Sequence, residues 1–162
     1  MPSADDLLRH ANERAADLAR PGLSPRPGRK VAILTCMDTR IDPAIMLGLE
    51  RGDAHFIRNA GGLVTDDALR SLSASQRLLG TNEIVVIMHE NCGLHGASED
   101  DYTQQLADDG VLPSWRLGAF HDLEETVRAS VNQLRNAPEL PHRDAIRGFV
   151  FDPEDGSLRA VD

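Results

Sequence analysis

Two short runs of the 162-residue chain carry the residue types that do chemistry. Cys36-Met-Asp38-Thr-Arg40 sets a thiol, a carboxylate and a guanidinium at alternate positions. His89-Glu-Asn-Cys92-Gly93 adds an imidazole and a second thiol. The chain has only two cysteines, one in each run. Cys36, His89 and Cys92 together form a soft nitrogen-and-sulfur donor set that suits zinc, and two thiolates would cancel the charge of the ion. Three protein ligands leave a fourth position open, as in catalytic zinc sites. That position could take a water or the carboxylate of Asp38. In an extended segment Arg40 points to the same side as Asp38. A guanidinium there can hold the carboxylate bidentately, keep it ionised and draw it off the metal. The pattern predicts a switch: Asp38 on the ion closes the site, and Asp38 on Arg40 opens it to water. The blander readings are a fixed Asp–Arg pair that only shapes a pocket, and buried cysteines acting as small hydrophobes. A thiol redox pair is a third, although the two cysteines lie far apart and lack the C-x-x-C form.

These residues need a scaffold that brings two strand ends together. Residues 31–34 and 83–88 are continuous apolar runs rich in branched side chains, the pattern of strands buried on both faces. Each leads directly into one of the reactive runs, and the carboxyl ends of strands are where open α/β sheets keep their sites. A third strand, 52–57, ends in Arg58-Asn59-Ala60-Gly61-Gly62, where paired glycines allow a close backbone approach. A fourth strand is read at 147–151. Residues 152–156 form a turn, and 158–161 can return as a hairpin arm. Between the strands, Asp42-Pro43 caps a helix through Leu49, and Thr65 caps one running to about Leu79. A helix over 101–107 follows, and another runs from His121 or Asp122 to about Asn136.

At the N-terminus, Ser3 caps a helix over 4–19 with Leu7, Leu8, Ala11, Ala15 and Leu18 on one stripe. A connector with three prolines spans 21–28. The order predicts an α/β fold built on a mainly parallel sheet of four to five strands, with helices on both faces and an N-terminal helical arm. The arm and connector take residues 1–28, and the α/β domain takes 29–162. The net charge of −9 argues against nucleic acid or an anionic membrane as a partner. No apolar run is long enough to span a bilayer, and no leader pattern is present, so a cytoplasmic location is expected.

The pattern Cys36-x-Asp38-x-Arg40 followed by His89-x-x-Cys92-Gly93 resembles the β-class carbonic anhydrases. Arg58-Asn59-Ala60-Gly61 and the run 71–80 are also similar to that family. The resemblance covers residues 30–93 and, more loosely, the strand at Phe149-Val-Phe-Asp152. It implies a sheet of mainly parallel strands, dimers or multiples of dimers, and zinc-dependent reversible hydration of carbon dioxide to bicarbonate and a proton. On this resemblance Cys36, His89 and Cys92 hold the metal, and Asp38 either joins them or orients the attacking water. Backbone N–H groups near Gly61 would hold substrate oxygens, and His55 and His95 are candidates for proton export. The chain departs from the family pattern at Met88, Leu94 and His95, near the pocket mouth. The alternatives are a zinc hydrolase of another small electrophile, such as carbon disulfide, and a non-catalytic zinc-binding relative.

Overall fold

The computed structural model describes residues 3–161, so Met1, Pro2 and Asp162 at the ends of the two expected segments lie outside it. Five strands form one sheet in the order β2-β1-β3-β4-β5. They are β1 (Val31–Cys36), β2 (Ala54–Asn59), β3 (Glu83–His89), β4 (Ile146–Phe151) and β5 (Leu158–Val161). The first four are parallel, and β5 returns antiparallel along β4. All six residues of β1 are buried, which is why its sequence reads as one apolar run with no polar alternation.

The crossovers are α3 (Pro43–Leu47), α4 (Asp66–Arg77), α5 (Glu99–Asp108) and α6 (Leu123–Arg135). Ala68 and Leu72 of α4 and Val131 and Leu134 of α6 pack on Ala32, Leu34, Ile84, Val86 and Ile146. The opposite face is covered more thinly. There α3 contributes Met46 and Leu47, and Val31, Ile33, Leu47, Leu49, Val85 and Phe149 line an open apolar recess. Helices therefore occupy both faces, but unequally.

Several element ends shift by one or two residues from the sequence reading, β2 among them, which runs over 54–59 and not 52–57; three larger differences bear on the arm and the site. The helix expected over 4–19 is divided into α1 (Ala4–Glu13) and α2 (Ala15–Leu18) by Arg14, at φ −100° and ψ 8°. Neither helix buries a residue, so no packed face holds the two in register. Leu7 and Leu8 are each 61% exposed, so the expected apolar stripe faces solvent. The arm is fastened to the domain where Arg51 Nη1 donates to the Leu18 carbonyl at 2.7 Å. Next, α3 stops at Leu47 because Gly48 takes a left-handed conformation, φ +61°. Finally, β3 extends through His89, so the imidazole comes from a strand and not from the loop after it.

Candidate functional site

Cys36 and His89 are the last residues of β1 and β3, which are hydrogen-bonded neighbours. The parallel register therefore brings both side chains to the same sheet end. The turn after β3 then returns Cys92. Asn91 makes this turn at φ +53°, a left-handed conformation that asparagine tolerates better than most residues. One donor atom from each of Cys36, His89 and Cys92 lies within 4.8 Å of the other two, and all three residues are buried. His89 Nδ1 lies 2.9 Å from the Glu90 carbonyl, which can only accept, so Nδ1 carries the proton. In the neutral ring Nε2 is then a lone pair, buried and without a hydrogen-bond partner among the described residues. An orphaned imidazole nitrogen beside two thiols, its ring fixed by a carbonyl behind it, fits a soft divalent metal.

The electrostatics favour ionised sulfur at Cys36. Burial pushes its pKa up, but the adjacent His89 ring and hydrogen bonding from the backbone N–H groups of Asp38 and Gly61 bring it down to about 7. At Cys92 burial dominates and raises the thiol, against a lowering contribution from the Leu94 N–H. Burial lowers the His89 value, but the Cys36 sulfur outweighs it and the net shift is upward. Asp38 is held side-on by Arg40. Nε donates to Oδ1 at 3.0 Å, Nη2 donates to Oδ2 at 2.8 Å, and the Arg40 backbone N–H reaches Oδ1 at 2.9 Å. Those bonds keep the Asp38 carboxyl well below the usual carboxylate range. Asp38 is not among the clustered donors, yet its Oδ2 lies 3.8 Å from His89 Nε2.

Comparisons with known proteins place the chain in a family. The carbonic anhydrase family model matches residues 31–137. The β-carbonic anhydrase 1 of Mycobacterium tuberculosis is 41% identical over 162 residues, covering 99% of both chains. The chain belongs to the β-carbonic anhydrase family. The structure of a carbonic anhydrase from Streptococcus mutans matches with a TM-score of 0.89 at 41% identity, covering 100% of this chain and 99% of that one. A carbon disulfide hydrolase from Acidithiobacillus thiooxidans is 37% identical over 152 residues, 81% of this chain and 76% of that protein.

In this member of the family the structure gathers Cys36, Asp38, Arg40, His89 and Cys92 at one sheet end. Gly61 sits at the start of the turn after β2, and its backbone N–H is among the groups that lower the Cys36 thiol. Gly61 takes φ +77°, and a side chain there would meet Leu63 and Leu94. His55 lies far from the centre. It pairs with Ala32 in the register while Asn59 pairs with Cys36, a separation of roughly 13 Å along the strand. Both its ring nitrogens are engaged, with Ser75 Oγ at 2.7 Å and the Pro25 carbonyl at 3.0 Å. His95 stacks on Phe120, and its Nε2 sits 3.0 Å from the His121 carbonyl.

Two supporting residues gave no role to sequence reasoning. Arg58 donates from Nε to the Cys36 carbonyl at 3.0 Å and from Nη2 to the Asp38 carbonyl at 2.8 Å, clamping the loop that carries both. Asn59 braces the following turn with two bonds to the Leu63 backbone. Their place in the Arg-Asn-Ala-Gly run was the only signal.

Proposed function

We propose that the protein is a zinc enzyme that reversibly hydrates carbon dioxide to bicarbonate and a proton. The observation that carries this reading is the buried Cys36–His89–Cys92 cluster, with its unpartnered Nε2, beside an Asp38 that Arg40 holds to one side. Cys36, His89 and Cys92 would hold zinc, which when bound supplies Lewis acidity that acidifies a water toward neutral pH. Asp38, ionised and acceptor-only, takes a hydrogen bond from the attacking water and aims its lone pair. Arg40 keeps that carboxylate in place, and a second bond from its Nη2 to the Asn91 carbonyl at 2.9 Å ties the two motifs together. Leu63 and Leu94, packed beside the cysteines, offer an apolar wall to a small uncharged substrate. Backbone N–H groups near Gly61, which lies against Leu63 and Leu94, would help to hold the substrate oxygens. His95 is the better placed of the two histidines for proton export, since it is the third residue after Cys92 and is exposed.

The relatives named carbon disulfide hydrolase support a second reading, hydrolysis of that heavier analogue at the same centre. Carbon dioxide is preferred because the mycobacterial carbonic anhydrase matches over 99% of both chains. Stopped-flow assays of the zinc-loaded chain with each substrate decide between them. Hydration of carbon dioxide above the buffer rate is expected, and hydrolysis of carbon disulfide alone would overturn the preference.

The arm and the thin sheet face support assembly into a homodimer or a multiple of dimers. The arm exposes Leu7, Leu8, Leu18 and Leu23, and the recess on that face lacks a cover. Both cysteines are free, which supports work in the reducing cytoplasm. Among the described residues no helix is long and apolar enough to cross a membrane.

A further inference from the structure

The segment between β3 and α6 is mostly irregular, and one side chain organises it. Glu99, at the start of α5, turns its carboxylate away from its own helix and into the loop before α6. Oε1 accepts from the Leu117 N–H at 2.7 Å, and Oε2 accepts from Gly118 at 3.0 Å and Ala119 at 3.3 Å. Three successive backbone N–H groups converging on one anion form a nest, which the left-handed Gly118, φ +80°, makes possible. Only 18% of the Glu99 side chain is exposed. Arg116 approaches it at 3.7 Å but is 82% exposed and adds little.

The nest is joined to the metal centre by backbone bonds. The residue after it, Phe120, donates its N–H to the Leu94 carbonyl at 3.1 Å and accepts from the Gly96 N–H at 2.7 Å. Phe120 is buried in the same cluster as Cys36 and Cys92, and Leu94 and Leu63 pack against that cluster. A Cβ on Gly118 would lie 2.6 Å from Leu63, and one on Gly61 would touch both Leu63 and Leu94. His95, the next residue, donates its N–H to the Cys92 carbonyl at 3.0 Å. A continuous path of bonds and contacts thus runs from Glu99 through residues 117–120 to residues 94–96 and the Cys92 backbone.

We propose that Glu99 is a positioning residue for this centre: by closing the nest at 117–119 it sets Phe120 and Leu94 against the cysteine pair. The proposal rests on the reading of the cluster as a zinc site. Its effect reaches the metal through the backbone, so Glu99 touches neither metal nor substrate.

The test uses the full chain as wild type, Glu99→Gln, Glu99→Ala and Arg116→Ala. Two quantities are read: amide hydrogen exchange, and zinc affinity by competition with a chelator. In Glu99→Ala, exchange at 117–119 should quicken on the order of tenfold, and the Gly96 and Phe120 amides should quicken with it. Zinc affinity should fall on the order of tenfold, the low end for groups that support a ligand. Glu99→Gln keeps one acceptor oxygen and the side-chain volume, so it should lie between, and it decides the matter if Glu99→Ala does not fold. Arg116→Ala should match wild type. Faster exchange confined to 117–119, with Gly96, Phe120 and zinc affinity unchanged, overturns the proposal and leaves Glu99 a local latch. A wild-type chain that takes up no zinc overturns the reading of the centre instead. The exchange data then still decide whether Glu99 holds residues 94–96.

Discussion

Gly62 is the position where a single methyl group should do most damage. It lies just after β2 at φ +68°, and a Cβ there would stand 3.0 Å from the Cys36 nitrogen, 3.0 Å from the Thr35 carbonyl carbon and 3.1 Å from the Ile87 oxygen. All three atoms belong to the backbone of β1 and β3, which the sheet ladder fixes. Alanine would incur about 1–2 kcal/mol for the left-handed conformation. Overpacking adds about 1–3 kcal/mol, toward the upper end because no flexible side chain can give way. The sum is about 3–5 kcal/mol, or on the order of 10 °C in melting temperature for a chain of this size. Gly48→Ala is the control. Gly48 has φ +61° but nothing within 4 Å of its would-be Cβ, so it should show the conformational cost alone. Urea unfolding of the metal-free chains measures both. Equal losses in the two variants would refute the claim that Gly62 is required by contact with the strand that carries Cys36.

Three further outcomes follow from the site. Thr35 is fully buried and its hydroxyl has no partner among the described residues, so Thr35→Val should hold or raise stability by up to about 1 kcal/mol; a loss larger than that in urea unfolding would show that the hydroxyl is satisfied. Zinc affinity should fall as pH falls, because Cys92 and His89, both raised, and Cys36, near 7, must all lose protons to bind. The fall should steepen below pH 7, and a flat profile in chelator competition from pH 6 to 8 would count against this ligand set. The Asp38 value is depressed, so stabilisation from its Arg40 pair is present above the unfolded carboxylate value and is lost only as pH drops through the folded one. The pair therefore stays closed across the neutral range, and Arg40→Ala is needed to release it. That variant should keep its zinc and lose hydration on the order of tenfold or more, with Asp38 turned toward His89 in its crystal structure; near-normal hydration at neutral pH would end the gating idea.

The centre was legible because its parts are local in sequence. Val31–Leu34 and Ile84–Met88 announce buried strands, and each run of reactive residues follows at once, so strand adjacency brings Cys36 and His89 together and the short turn after β3 adds Cys92. Helix starts at Asp42, Thr65 and Asp122 were readable from their caps, each of which accepts a backbone N–H in the first turn. Other features depend on contacts distant in sequence. No local signal links Glu99 to amides 18 to 20 residues away, or Arg58 to carbonyls on the neighbouring strand end. The break at Arg14 has no glycine or proline to mark it.

The central claim is that two thiolates and one imidazole of this chain hold zinc. X-ray absorption at the zinc edge, with elemental analysis of the protein as purified, tests it directly. One zinc per chain is predicted, with two sulfur ligands at about 2.3 Å and one nitrogen at about 2.0 Å. Iron, no metal, or zinc surrounded only by oxygen and nitrogen would contradict it.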